Sequence, residues 1–217
     1  MKVHYVANAT LDRLLDAGDA LWGGAASEVL SMNGTPVTMQ PTAAVRNSWR
    51  DKPVGATAKV AVRAAHNGKA IVFRLDWNDP DHSVDHGDNS RFPDAAAVAF
   101  PLSRDTPLLT MGAPGAPLAI WYWRADTLDG GFQVRAEGPG STQIVDRLRV
   151  RSRARWQDGM WSVTIARELA TAEADTVHLK AGQAARFGVA VWEGAHGERG
   201  GLKAVSGDWQ PLAIVQQ

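Results

Sequence analysis

The sequence contains no cysteine. Disulfides, thiolate-held zinc, iron–sulfur clusters ligated by this chain and haem attached through a C-x-x-C-H motif are therefore excluded. It has no excess of either charge: Lys and Arg total 23, as do Asp and Glu. With no basic surplus to neutralise phosphates, nucleic acid is not an expected partner. Nor is there a run of about 18 apolar residues, so no membrane-spanning helix is expected. The first twenty residues, MKVHYVANATLDRLLDAGDA, lack a continuous apolar stretch and a small-residue cleavage site, and do not read as a secretory signal. Hydrolytic signatures are missing as well: no G-x-S-x-G elbow, no H-E-x-x-H, no Walker loop. Any cofactor must be held by His, Met, Lys, Tyr, carboxylates or packing.

What remains is a chain of 217 residues, 45% hydrophobic and 21% charged, which suits one globular domain spanning residues 1–217. Thr10 is placed to cap one short helical turn that gathers Leu11, Leu14 and Leu15 before Gly18. After it, β signals recur at 59–64, 69–77, 95–100, 118–124, 132–136, 148–156, 160–166, 187–192 and 209–215. Asn67-Gly68 and Asp158-Gly159 are hairpin turns in the making. In LRVRSRARW and the arginine before it, Leu148, Val150, Ser152, Ala154 and Trp156 alternate with Arg147, Arg149, Arg151, Arg153 and Arg155, which reads as a half-buried strand with a basic outer face. The fold class is all-β, an antiparallel β-sandwich with short helical segments and long loops.

Three groups of residues are candidates for chemistry. Asp79, Asp81, His82, Asp85, His86, Asp88 and Asp94 cluster in DWNDPDHSVDHGDNSRFPD, but the prolines, glycine and polar residues mark a solvated loop, with a calcium ion as the lesser reading. The nine tryptophans are a high count; exposed on a sandwich they would stack on sugar rings, and buried they would fill the core. In LAIWYWR, Trp121 and Trp123 share one face with Ala119, and Ile120 and Tyr122 the other, so both sides of this strand are apolar. Met111 and Lys203, taken singly, would be a gap filler and a surface charge.

Four motifs pair these last two residues. DAAAVAFP (94–101), TMGAPGAPLAIWYWRAD (110–126), DGMWSVTIARELAT (158–171) and FGVAVWEGAHGERGGLKAVSGDW (187–209), with a weaker echo at DALW (19–22), occur in an order that resembles one family. It is the haem b, or gamma, subunit of the ethylbenzene dehydrogenase-like, type II branch of dimethyl sulfoxide reductase enzymes, whose members act on chlorate, selenate, dimethyl sulfide or ethylbenzene. The resemblance implies a β-sandwich holding one non-covalent b-type haem between an axial methionine, matched by Met111, and an axial lysine, matched by Lys203. Trp121 and Trp123 would build part of the haem pocket wall, and His196 would be the first substitute ligand to test. It further implies an electron-transfer subunit that is not itself catalytic. Its partners would be an iron–sulfur subunit, a molybdenum catalytic subunit and a soluble cytochrome c, in the periplasm, with Met1 beginning a mature form. The propionates and the docking surface are left open, with Arg91 and the arginine strand face as candidates. The competing expectations are a carbohydrate-binding module presenting exposed tryptophans and a calcium-stabilised domain built around Asp79 to Asp88.

Overall fold

The computed structural model describes residues 1–87, 90–127, 130–169, 171, 173 and 175–216. Its strands are β1 (Lys2–Tyr5), β2 (Glu28–Gly34), β3 (Lys59–His66), β4 (Ala70–Asn78), β5 (Ala95–Pro101), β6 (Leu118–Arg124), β7 (Phe132–Ala136), β8 (Gln143–Asp146), β9 (Arg151–Gln157), β10 (Met160–Glu168), β11 (Ala184–Trp192), β12 (Ala204–Ser206) and β13 (Gln210–Ile214). Two helices, α1 (Leu11–Leu15) and α2 (Ala43–Ser48), are short. Among the described residues no helix is long and apolar enough to cross a membrane.

Local chemistry sets the hairpins. The Asn67 side-chain oxygen accepts from the N–H groups of Lys69 and Ala70 at 3.0 and 2.9 Å, and Gly68 takes φ 89°, turning β3 back into β4. Asp158 and Gly159, at φ 53° and 75°, supply two successive left-handed residues between β9 and β10, as the tight hairpin turn requires. The Thr10 hydroxyl accepts from the Arg13 N–H and caps α1.

One layer runs β8-β7-β6-β5-β11-β12 and the other β2-β3-β4-β10-β9. β2 belongs to both, pairing with β3 through Glu28 to Ser31 and with β12 through Met32 to Gly34. The pairing is antiparallel except at β1, which lies parallel to β3 and β13. The all-β sandwich is as expected; its parallel element is β1, a strand from the chain's start that joins β3 and the distant β13, pairings that no hairpin makes.

The alternation of each strand puts one set of side chains between the layers. Phe73 of β4 meets Phe100, Trp121 and Phe187 with ring centroids 5.7, 6.1 and 5.4 Å apart, and Trp77 meets Trp123 and Trp161 at 6.4 and 6.3 Å. Burying large rings of this kind supplies much of the drive to close a sandwich. The arginine face of β9 is exposed as expected. The strand, however, starts at Arg151 rather than at Leu148, and Leu148 is 84% exposed. Asp146 accepts from the Leu148 and Arg149 N–H groups and bends the chain there.

Candidate functional site

The outer face of the β5-β6-β7-β11 layer is apolar as well. Ala95, Ala97, Ile120, Val134 and Trp192 form a buried cluster there, with Met111, Tyr122 and Phe132 packed against it half-buried. Over this face lies a cavity of about 520 Å³, inside the range of roughly 300–1,000 Å³ in which small molecules and cofactors are held. Its other walls come from the loops that carry Met111 and Lys203, from the turn at Met39 to Pro41, and from the stretch between Pro139 and Arg147 that includes β8.

The first loop leads into β6 and presents Met111. The Met111 and Gly112 N–H groups donate to the carbonyls of Leu108 and Pro107 at 2.9 Å each, and the Met111 carbonyl accepts from Gly138 at 3.0 Å. Ala113 and Ala116 exchange two further backbone bonds around the Pro-Gly turn. Met111 itself sits at φ 57°. A side chain in that left-handed region costs about 1–2 kcal/mol, and such outliers concentrate at functional positions. Gly112 follows at φ 87°, where a Cβ would stand 2.8 Å from the Ala136 carbonyl oxygen, so only glycine fits.

The second loop, between β11 and β12, presents Lys203. It is fastened by Glu198, whose buried carboxylate accepts from the N–H groups of Gly55 at 2.6 Å, Ala56 at 3.0 Å and Glu193 at 3.2 Å. The Lys203 backbone is tied to Thr35 on the far side by N–H to Oγ1 at 3.2 Å and by Thr35 N–H to its carbonyl at 3.0 Å. Sequence reasoning missed Glu198. Nothing in the pattern separates this acid from the surface carboxylates, because the partners that tie it across the fold, Gly55 and Ala56, are backbone groups 143 and 142 positions away.

Met111 and Lys203, 92 positions apart, meet: the lysine Nζ donates to the methionine Sδ at 3.1 Å. Its other contacts are the Gly200 carbonyl at 3.4 Å and the face of the Trp192 ring at 5.2 Å. Lys203 is 4% exposed, and among the described residues no carboxylate pairs with it. Burial alone lowers its pKa from 10.5 to about 8, because a thioether and one long carbonyl contact do not replace the water that an ammonium loses. The neutral amine is therefore within easy reach, and it carries a lone pair. A soft, neutral sulfur and an amine nitrogen converging on one apolar space make a donor pair for a soft or intermediate transition metal carried by an apolar ligand.

The other sequence-predicted residues are distributed differently. Trp121 and Trp123 do not line the cavity. The alternation of β6 turns both into the core between the layers and gives the cavity Ile120 and Tyr122 in their place, which corrects the pocket-wall expectation. None of the nine tryptophans is exposed, so the platform expected of a carbohydrate-binding module is absent. His196 packs edge-on against Trp49 at 5.9 Å and faces Glu198 at 3.5 Å, away from the cavity lining. Arg91 bridges to Gly87 and is not part of the lining either.

In the acidic loop, Asp94 is buried and accepts from Ser83 N–H, Trp161 Nε1 and Gly194 N–H at 3.0, 3.0 and 2.8 Å. Asp79 is buried beside it, its pKa pushed up to about 7 by desolvation and by the charges of Asp94 and Glu193. Asp81, His82, Asp85 and His86 face solvent. Asp88 lies outside the described residues. Among those described, no three His, Asp or Glu side chains are grouped to hold a metal ion.

The ethylbenzene dehydrogenase family model matches residues 30–139 and 136–204, a span that starts well before the motifs from position 94 onward and takes in β2 to β4. Relatives include a protein named as a respiratory nitrate reductase heme subunit (ORF7) in Haloferax mediterranei, 29% identical over 82% of this chain and 63% of its own length. The chlorate reductase subunit gamma of Ideonella dechloratans is 34% identical over 72% and 65%, and the dimethylsulfide dehydrogenase subunit gamma of Rhodovulum sulfidophilum 31% identical over 69% and 58%. The chain thus spans somewhat less than two thirds of the length of these relatives. In fold it is similar to a family 9 carbohydrate binding module from Caldicellulosiruptor kristjanssonii in complex with cellotriose, with a TM-score of 0.51 at 9% identity, covering 100% of this chain and 95% of that one. A likeness at that identity speaks for the sandwich alone. The family match over most of the chain, together with the three relatives, establishes that the protein belongs to the ethylbenzene dehydrogenase family, among the gamma subunits of type II dimethyl sulfoxide reductase enzymes.

Proposed function

We propose that this chain is an electron-transfer subunit that holds one non-covalent b-type haem, with Met111 and Lys203 as its axial ligands. The observation that carries the reading is a buried, carboxylate-free amine 3.1 Å from a thioether in the wall of an apolar cavity. Buried lysines are rare and are normally paired with an acid. One whose proton is loosened by burial beside a soft donor has the makeup of a metal ligand.

The residues present fit the group. The sheet face offers aliphatic and aromatic contacts to a flat apolar body, and the lining carries cations but, among the described residues, no carboxylate to repel an anionic one. Met111 and Lys203 would hold the metal, and their unbranched side chains leave them free to part by torsional change alone. When bound, the haem supplies a one-electron couple. This chain's residues do the rest. Met111 offers a sulfur that stays neutral at every pH and favours the reduced metal. Lys203 would hold the metal as a neutral amine, a form that burial brings closer. With Met111 and Lys203 both committed to the metal, no position would be left for a substrate, so the group would pass electrons only.

The chain is not catalytic by itself. In our reading it works beside a molybdenum catalytic subunit and an iron–sulfur subunit, relays electrons between the latter and a soluble cytochrome c, and resides in the periplasm. The names of the relatives support the assembly. The carbohydrate-binding alternative loses its footing with the burial of the tryptophans.

The test is spectroscopic. Purified protein reconstituted with haem is expected to give a sharp low-spin b-type spectrum, and Met111→Ala and Lys203→Ala are each expected to convert it to a high-spin or weakly bound form. Full loading with an unchanged spectrum in both variants would overturn the ligand assignment.

A further inference from the structure

Three cationic side chains line the cavity, Lys203, Arg124 and Arg147, and they differ in how far their charge is already spent. Lys203 is buried against Met111 and, as a metal ligand, would carry no charge. The Arg124 guanidinium is held by the Asp126 carboxylate at 2.5 Å. Arg147 stands at the exposed rim with its guanidinium 5.0 Å over the ring of Phe132, another lining residue. Its neighbour Asp146 is turned away, taken up by the Leu148 and Arg149 N–H groups and by the Arg149 side chain. Among the described residues Arg147 therefore has no acidic partner.

We propose that Arg147 anchors a carboxylate of the ligand that fills this cavity, so that the β7–β8 rim is the end at which the haem's propionates stand. The proposal rests on the haem reading above and adds an orientation to it. A guanidinium keeps its charge at every accessible pH and offers parallel N–H donors that match a carboxylate, and stacking on Phe132 holds the plane of that fork. A carboxylate received at the rim stays partly hydrated and escapes the cost of full burial. The same geometry separates Arg147 from the arginines it resembles in sequence. Arg151, Arg153 and Arg155 belong to β9 and point outward, whereas Arg147 precedes the bend at which the alternation begins.

The experiment titrates apoprotein with two probes, haem and haem whose two carboxylates are blocked as methyl esters, following the Soret band. Wild type, Arg147→Ala, Arg147→Glu and the off-cavity control Arg151→Ala are compared, with melting curves to check that each is folded. Arg147→Ala is expected to weaken haem about ten-fold, in line with one charge-assisted hydrogen bond at a partly hydrated site, and Arg147→Glu to weaken it further. Neither should change the affinity for the diester, and Arg151→Ala should match wild type with both. Unaltered haem affinity in Arg147→Ala, or equal weakening of haem and diester, would overturn the anchor while leaving the haem reading intact. Wild-type protein that takes up neither probe would overturn both.

Discussion

On the outer face of the β3-β4-β10 layer the chain covers its own apolar residues: Ala65, Val72 and Ala166 lie under Leu14 and Leu15 of α1 and under Trp22. On the opposite outer face, over β5, β6, β7 and β11, Ile120, Tyr122, Phe132 and Val134 look into an open cavity. Both faces are apolar; α1 and the turn that carries Trp22 close the first, and the second is left open. A face closed by the chain adds to the stability of the folded protein. One left open forgoes that contribution until a ligand supplies it, and can then convert burial into affinity.

The comparison can be broken by truncating one side chain on each face. Leu14→Ala, at a fully buried position, is expected to cost about 3 kcal/mol in urea denaturation, whereas Ile120→Ala, beside space that is already open, is expected to cost about 1 kcal/mol. Equal losses would mean that the cavity is packed in solution.

A smaller effect of opposite sign is expected at Lys203. Its folded pKa of about 8 lies below the ordinary 10.5. Below pH 8 both states carry the proton and the folded one bears the full cost of burying it. Between pH 8 and 10.5 only the unfolded state keeps it, so stability rises with pH through that window. Lys203→Met is therefore expected to stabilise the apoprotein at pH 7 by about 2 kcal/mol, or roughly 5 °C in melting temperature, with the gain closing toward pH 10.5. A gain that does not change with pH would remove the charge from the explanation. The same variant is expected to lose the low-spin haem spectrum, which would place stability and ligation in opposition at one residue.

The smallest contrast sharpens the difference between the loops. Gly112→Ala, forced to φ 87° with a carbonyl oxygen 2.8 Å from the new Cβ, is expected to destabilise by about 1–2 kcal/mol. Gly23→Ala, in the turn that covers the closed face and with nothing within 4 Å, is expected to change the melting temperature by less than about 1 °C. If the two behaved alike, the Met111 loop would be no more constrained than an ordinary cover.

Much of the frame was legible in the sequence, because β3 to β7, β10 and β11 carry long apolar or alternating runs bounded by Gly, Pro, Asn and Asp. The strands that escaped are those whose pairing is remote or whose side chains carry no pattern. β1 joins the distant β13, β12 has three residues, and β8 and β2 expose most of their side chains. The site was less legible. Both faces of LAIWYWR are apolar, and alternation alone does not say which one meets the second layer. The larger rings went to the core and the smaller set to the cavity. Met111 and Lys203 were paired by the order of four motifs, since no local rule joins residues 92 positions apart. Arg147 was hidden among five arginines at period two, and only the start of β9 at Arg151 sets it apart.

The strand β6 serves as a partition wall. Tyr122 looks into the cavity, while Trp121 and Trp123, its immediate neighbours, look into the core, and Trp192 stands 5.3 Å from Tyr122 on the cavity side. Any light-absorbing molecule lodged there would be within a side chain's reach of several indoles at once. Their emission would fall as the cavity fills, and loading could be followed in unmodified protein by its own fluorescence.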